Sequence, residues 1–228
     1  MSGTSLDGID AVLVDFSSGQ PQTLATTWLP YSPALRDQAL LLQSVGNNEL
    51  HTAALFANEL ARLYAQVVEY VLAKTNITAD QVIAIGCHGQ TVRHQPNAGY
   101  SLQINNPALL AELTKITVVA DFRSRDIAAG GQGAPLVPAF HAEVFSSPTQ
   151  HRVILNIGGF ANLTDLNPAS PVRGFDCGPG NVLMDAWINT MQGVQYDNGG
   201  HWASEGVIST ALLEELMADQ FFHTPPPK

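Results

Sequence analysis

Three short glycine-bearing segments carry the residue types that handle anions. Ser2-Gly-Thr-Ser-Leu-Asp-Gly-Ile-Asp10 places two glycines, three hydroxyls and two carboxylates within nine residues. Gly3 and Gly8 let backbone N–H groups approach phosphate oxygens, and Thr4 and Ser5 add donors. Asp7 and Asp10 could hold a magnesium ion through water, which suits a cation that keeps its hydration shell. The segment is not the lysine-containing phosphate loop, and an ordinary turn of small residues competes with the phosphate reading. Asn156-Ile-Gly-Gly-Phe-Ala-Asn-Leu-Thr164 repeats the layout as strand, glycine turn and strand. Two such hairpins suggest a nucleotide phosphate clamped between two related halves. In the third segment, Phe175-Asp-Cys-Gly-Pro-Gly-Asn181, Asp176 closes a short extended piece before a turn and a helix N-terminus, where backbone donors attract anions. A carboxylate that merely caps the turn is the competing reading.

The remaining polar clusters admit plainer roles. His88 and His94 flank Gln90, but with Cys87 they match no common zinc spacing, and hydrogen bonding to a polar ligand is favoured over ligation. Asp121 and Asp126 could pair with Arg123 and Arg125. Asp185 suits the first turn of a helix, and Met184 and Trp187 read as core.

Twenty acidic residues against ten Lys and Arg give a net charge of −10. That balance argues against a nucleic-acid or anionic-membrane surface, both of which need clustered cations. Arg93, Arg123, Arg125 and Arg173 each sit beside polar or glycine-rich turns, a placement suited to gripping one anionic group. Cys87 and Cys177 form no metal pair and a poor disulfide framework, and free thiols fit a reducing compartment. No stretch approaches eighteen apolar residues, and the chain reads as cytoplasmic.

Positioning these segments requires alternating strands and helices. Ile9 to Phe16 and Thr23 to Tyr31 read as a hairpin turning at Gly19-Gln-Pro21, followed by helices over 33–45 and 50–74. Strands are expected at 82–85, 101–104, 116–120, 152–157 and 161–166. Helices are expected at 107–114, 135–146, 181–192 and 206–219. The pattern predicts an α/β chain whose functional loops gather at one sheet edge.

The segments M-S-G-T-S-L-D-G-I-D at the start, G-C-H-G-Q-T-V-R-H at 86–94, D-F-R-S-R-D-I-A-A-G-G-Q-G-A-P-L-V-P-A-F-H at 121–141, L-N-I-G-G-F-A-N-L at 155–163 and G-F-D-C-G-P-G-N-V-L-M-D-A-W-I at 174–188 together resemble the anhydro-N-acetylmuramic acid kinases. The resemblance runs in order along essentially the whole chain. It implies an actin-like, ribonuclease H-like ATPase fold, with the first half complete except its first strand and the second half only begun. Residues 1–150 would form the first actin-like domain, with the sugar-side loops, and 151–228 the start of the second. The family uses ATP with Mg2+ and water to open 1,6-anhydro-N-acetylmuramic acid and phosphorylate O6, in peptidoglycan recycling. By the resemblance, Gly3, Thr4, Ser5, Leu6, Asp7, Gly8, Ile9 and Asp10 form the first ATP segment, and Asn156, Gly158 and Gly159 belong to the second. Asp7 would reach the metal through water, Asp176 would be the catalytic base, and His88, Gln90 and Arg125 would contact the sugar. A homodimer is the partnership expected of the full-length enzyme.

Family members usually show Arg-Arg-Arg where this chain reads Arg123-Ser124-Arg125. A strand before Met1 and a long continuation past Lys228, carrying most of the adenosine pocket, are also expected, so the 228 residues alone should be inactive. Two other classes compete: an actin-like ATP-binding module without sugar chemistry, and a glycosidase with paired carboxylates. The sugar-side loops disfavour the former, and the phosphate-cradling glycines disfavour the latter.

Overall fold

The computed structural model describes residues 2–3 and 6–226. The chain divides into two compact units, Met1–Gly133 and Ala134–Lys228. In the first, strands β1 (Gly8–Asp15) and β2 (Gln22–Pro30) form the expected antiparallel hairpin. Helix α1 (Pro33–Leu41) starts at Ser32, whose hydroxyl accepts from the Leu35 N–H at 3.2 Å, with Pro33 pre-set for the first turn. Helix α2 (Glu49–Ala73) is the spine of the unit. Its Phe56, Leu60, Ala61, Tyr64, Val67 and Val71 recur at helical spacing and are buried. All but Val71 pack in one core with Leu6, Ile9, Tyr31, Leu35 and Leu110.

Strand β3 (Ile85–Gly86) lies parallel to β6 (Val118–Val119). Between them in sequence come the hairpin of β4 (Gln90–Gln95) and β5 (Tyr100–Ile104) and helix α3 (Pro107–Thr114). Helix α4 (Ser124–Ala128) follows β6. The expected strand at 82–85 shrinks to its last residue plus Gly86, because β6 offers only two partners; Ile83 stays exposed. The 90–95 segment, absent from the expected strands, is a strand.

The second unit holds helix α5 (Val137–Phe145) and an antiparallel sheet of β7 (Arg152–Ile157), β8 (Phe160–Leu166) and β9 (Arg173–Pro179). Helices α6 (Val182–Gln192), α7 (His201–Ser204), α8 (Thr210–Met217) and α9 (Gln220–His223) follow. The single helix expected at 206–219 is α8 alone. Helix α5, assigned by sequence to the first domain, packs instead on β8 and β9 of the second unit. Met184 and Trp187 are exposed, contrary to the core expectation, and only Ile188 of α6 is fully buried. The architecture is mixed α/β. Among the described residues the strands form four small sheets, one of them parallel, rather than one continuous sheet.

Candidate functional site

In the first unit, the segment starting at Ser2 lies against the 87–90 loop. Ser2 forms an isolated antiparallel bridge with Ile9 and is buried. Its hydroxyl lies 2.9 Å from the Tyr64 hydroxyl and also donates to the Gly89 carbonyl at 3.4 Å. Gln90, expected to touch a ligand, is only 2% exposed. Its amide donates to the carbonyls of Gly3 and Thr91, and its oxygen accepts from Tyr31, each at 3.4 Å. Leu6 and Ile9 are core residues, while the carboxylates of Asp7 and Asp10 reach the surface. Thr4 and Ser5 lie outside the described residues. Gly8 serves packing: a Cβ there would stand 2.5 Å from the Leu29 carbonyl and 2.6 Å from Trp28 Nε1.

The parallel pair β3–β6 brings two further loops together at its C-terminal ends, the usual ligand edge of parallel strands. His88, after β3, meets Arg123, after β6: Arg123 Nε donates to His88 Nε2 at 3.0 Å. His88 Nδ1 lies 2.7 Å from the Gly89 carbonyl, so the neutral tautomer with its proton on Nδ1 satisfies both contacts. Burial holds the His88 pKa below its ordinary value, with the Arg123 charge adding to the effect. Arg123 also donates to the Gly133 carbonyl. Asp126 receives the Gly133 N–H at 2.7 Å and Asp121 receives the Ser124 hydroxyl at 2.6 Å, so both carboxylates brace the loop. Arg125 is exposed on α4. Burial raises the Cys87 thiol pKa, which disfavours a nucleophilic role. Arg93 is committed to Glu49 at 2.6 Å and to the carbonyls of Leu42 and Val92. Arg173 pairs with Asp165 at 3.0 Å. Two of the four cations read as anion grips are therefore structural.

In the second unit, the hairpin register sets Asn156, Asn162 and Asp176 side by side across β7, β8 and β9. Directly paired residues share a face about 5 Å apart, so the row joins Asn156 of the second glycine segment to the carboxylate of the third. Asn162, which sequence reasoning missed, lies between them, and its buried Oδ1 has no hydrogen-bond partner among the described residues. The mirror symmetry of 156 and 162 about the turn could have revealed it. Asp176 is half-buried within β9, not at its end. The turn at Gly158 and Gly159 seats the start of α6: Gly180 N–H donates to Gly159 O at 2.8 Å, Asn181 N–H to Gly158 O at 2.9 Å and Val182 N–H to Gly159 O at 3.3 Å. These amides, expected to attract an anion, are thus occupied by the turn. Neither packing nor a left-handed backbone demands glycine at 158 or 159, where a Cβ would meet only ordinary contacts at 3.6 Å or more. The bare backbone leaves approach to the turn open.

Among the described residues no group of three or more His, Cys, Asp or Glu could hold a metal ion. The exposed Asp7 and Asp10 instead fit a hydrated cation that meets protein through water. Neither Cys87 nor Cys177 is in a disulfide among the described residues. No helix of the described residues is long and apolar enough to cross a membrane.

The family model described as "Anhydro-N-acetylmuramic acid kinase" matches residues 1–228. Curated relatives with that name include proteins from Nitrosomonas europaea, 57% identical, Bordetella petrii, 58% identical, and Pseudomonas savastanoi pv. phaseolicola, 54% identical. Each alignment covers 100% of this chain but 63%, 61% and 62% of the respective relative. The chain thus spans less than two thirds of their length.

Proposed function

Since the chain belongs to the anhydro-N-acetylmuramic acid kinase family, we propose that it supplies the sugar-side loops and phosphate segments of an ATP-dependent kinase. That enzyme would open the 1,6-anhydro ring hydrolytically and phosphorylate O6. The observation that carries this reading is the Asn156–Asn162–Asp176 row, which puts a carboxylate beside a glycine turn left open to backbone approach. Asp176 accepts the proton of the water that adds to the anomeric carbon, and the O6 leaving that carbon takes the γ-phosphoryl group. Gly158 and Gly159 admit phosphate oxygens to the backbone. Asp7, with Asp10, would hold a magnesium ion through its water shell, and that ion would supply charge neutralisation for the phosphoryl transfer. Arg125 contacts the sugar, His88 presents its loop to it, and Gln90 acts through the loop it anchors. The fold around these residues is actin-like on this reading, and the enzyme works in the cytoplasm, as a homodimer, on a peptidoglycan-recycling sugar.

The test is ATP turnover in a full-length family enzyme carrying this sequence, with and without the anhydro sugar. Sugar-dependent ADP release with a 6-phosphate product supports the kinase. ATP hydrolysis indifferent to sugar would favour an actin-like module instead. Asp176→Asn should lower turnover at least roughly a hundredfold, the usual worth of positioned proton transfer, while affinities for ATP and sugar change little. Near-normal turnover would make Asp176 structural.

A further inference from the structure

The hydroxyl network beneath the first unit's two ligand segments has no place in the chemistry above. Tyr64 projects from the middle of α2 and is 4% exposed. Burial pushes its phenol far above the usual range, so it remains a protonated donor. It meets Ser2 at 2.9 Å, and Ser2 donates onward to the Gly89 carbonyl. Tyr31, itself 9% exposed, reaches Gln90, whose amide returns to the Gly3 carbonyl. The Ser2-Gly3 pair and the 87–90 loop, eighty-odd residues apart in sequence, are therefore cross-linked twice through side chains rooted in the core. Hydroxyl chains in such surroundings are costly to leave half-satisfied, which makes the arrangement all-or-none.

We propose that Tyr64 is a positioning residue that locks these two segments in register, so that nucleotide and sugar binding are coupled through Ser2. The proposal rests on the kinase reading, in which the segment beginning at Ser2 serves phosphate and the 87–90 loop serves sugar. Tyr64→Phe keeps the ring and its packing but removes the hydroxyl. In the full-length enzyme, Tyr64→Phe should weaken both Michaelis constants by about three- to tenfold, the worth of one buried hydrogen bond, with kcat less affected. It should also abolish any tightening of sugar binding by a non-hydrolysable ATP analogue, measured by calorimetry. Ser2→Ala should give the same phenotype, and the double variant should be no worse than either single one. A thermal melt of each variant identifies simple loss of folding, and Tyr31→Phe, at the other cross-link, then provides the test. Wild-type enzyme that shows no sugar-dependent turnover defeats the kinase reading. An active wild type with unchanged Michaelis constants and unchanged coupling in Tyr64→Phe, or additive effects in the double variant, overturns the positioning role alone.

Discussion

Replacing Gly8 by alanine separates two reasons for a glycine in the first segment. A Cβ at this position would stand 2.5 Å from the Leu29 carbonyl oxygen and 2.9 Å from Trp28 Cε2, whereas real Cβ atoms essentially never come within 3.0 Å of such neighbours. The β1–β2 ladder must therefore part by roughly half an ångström at the Gly8–Pro30 pair, next to the bond from Tyr31 N–H to the Asp7 carbonyl at 3.0 Å. Overpacking of this kind costs about 1–3 kcal/mol, and loss of the adjacent bond about 1 kcal/mol more. A domain of this size loses roughly 3–5 °C of Tm per kcal/mol, so Gly8→Ala should melt about 6–20 °C lower. The matched control is Gly159→Ala, whose Cβ would meet nothing nearer than Val182 Cβ at 3.8 Å. That variant should keep wild-type stability within about 0.5 kcal/mol, yet raise the ATP Michaelis constant about tenfold by blocking one backbone contact. Thermal melts by circular dichroism and steady-state kinetics on both variants decide the matter. A Gly8→Ala protein that melts like wild type but binds ATP poorly would refute the packing argument, and an unstable Gly159→Ala protein would refute its counterpart.

Two further outcomes follow from the same geometry. Because the folded pKa of His88 is depressed, its contribution to stability is complete above the unfolded value of about 6.5 and is lost as pH falls through the folded value. Melting temperatures from pH 8 to 5 should therefore decline more steeply for wild type than for His88→Gln; parallel curves would contradict this. Glu49→Gln should destabilise the first unit by about 1–3 kcal/mol, since it weakens the partner of a partly buried guanidinium, as read from urea denaturation. No change would place the Arg93–Glu49 pair among the inconsequential surface ion pairs.

The long helix α2 was legible because its apolar residues recur every three to four positions, and β1–β2 because alternation ends at a Gly-Gln-Pro turn. Strand β4 was not: Gln-Thr-Val-Arg-His-Gln is too polar to announce a strand, and it forms one because β5 pairs with it and because Gln90 finds buried partners. Strand β9 carries two glycines and a proline, residues that disfavour strands in isolation, and it pairs with the edge of β8. Segments such as 2–10 and 156–159 could be picked out by residue type. Their mutual positions could not, because Gly3 meets Gln90 only through tertiary packing, and Asn162 joins Asp176 only through register. The Arg123–His88 contact escaped for the same reason, since it depends on two short parallel strands ending side by side.

The crowding of Trp28 against Gly8 also gives the first unit an optical reporter. Trp28 lies on β2, half-exposed, while Trp187 and Trp202 belong to the second unit. Changing the latter two to phenylalanine leaves one indole, its edge against the segment that begins at Ser2. Indole emission responds to polarity and nearby charge, so a chain labelled by nothing but its own sequence can signal when that segment shifts, on the millisecond scale of stopped-flow mixing.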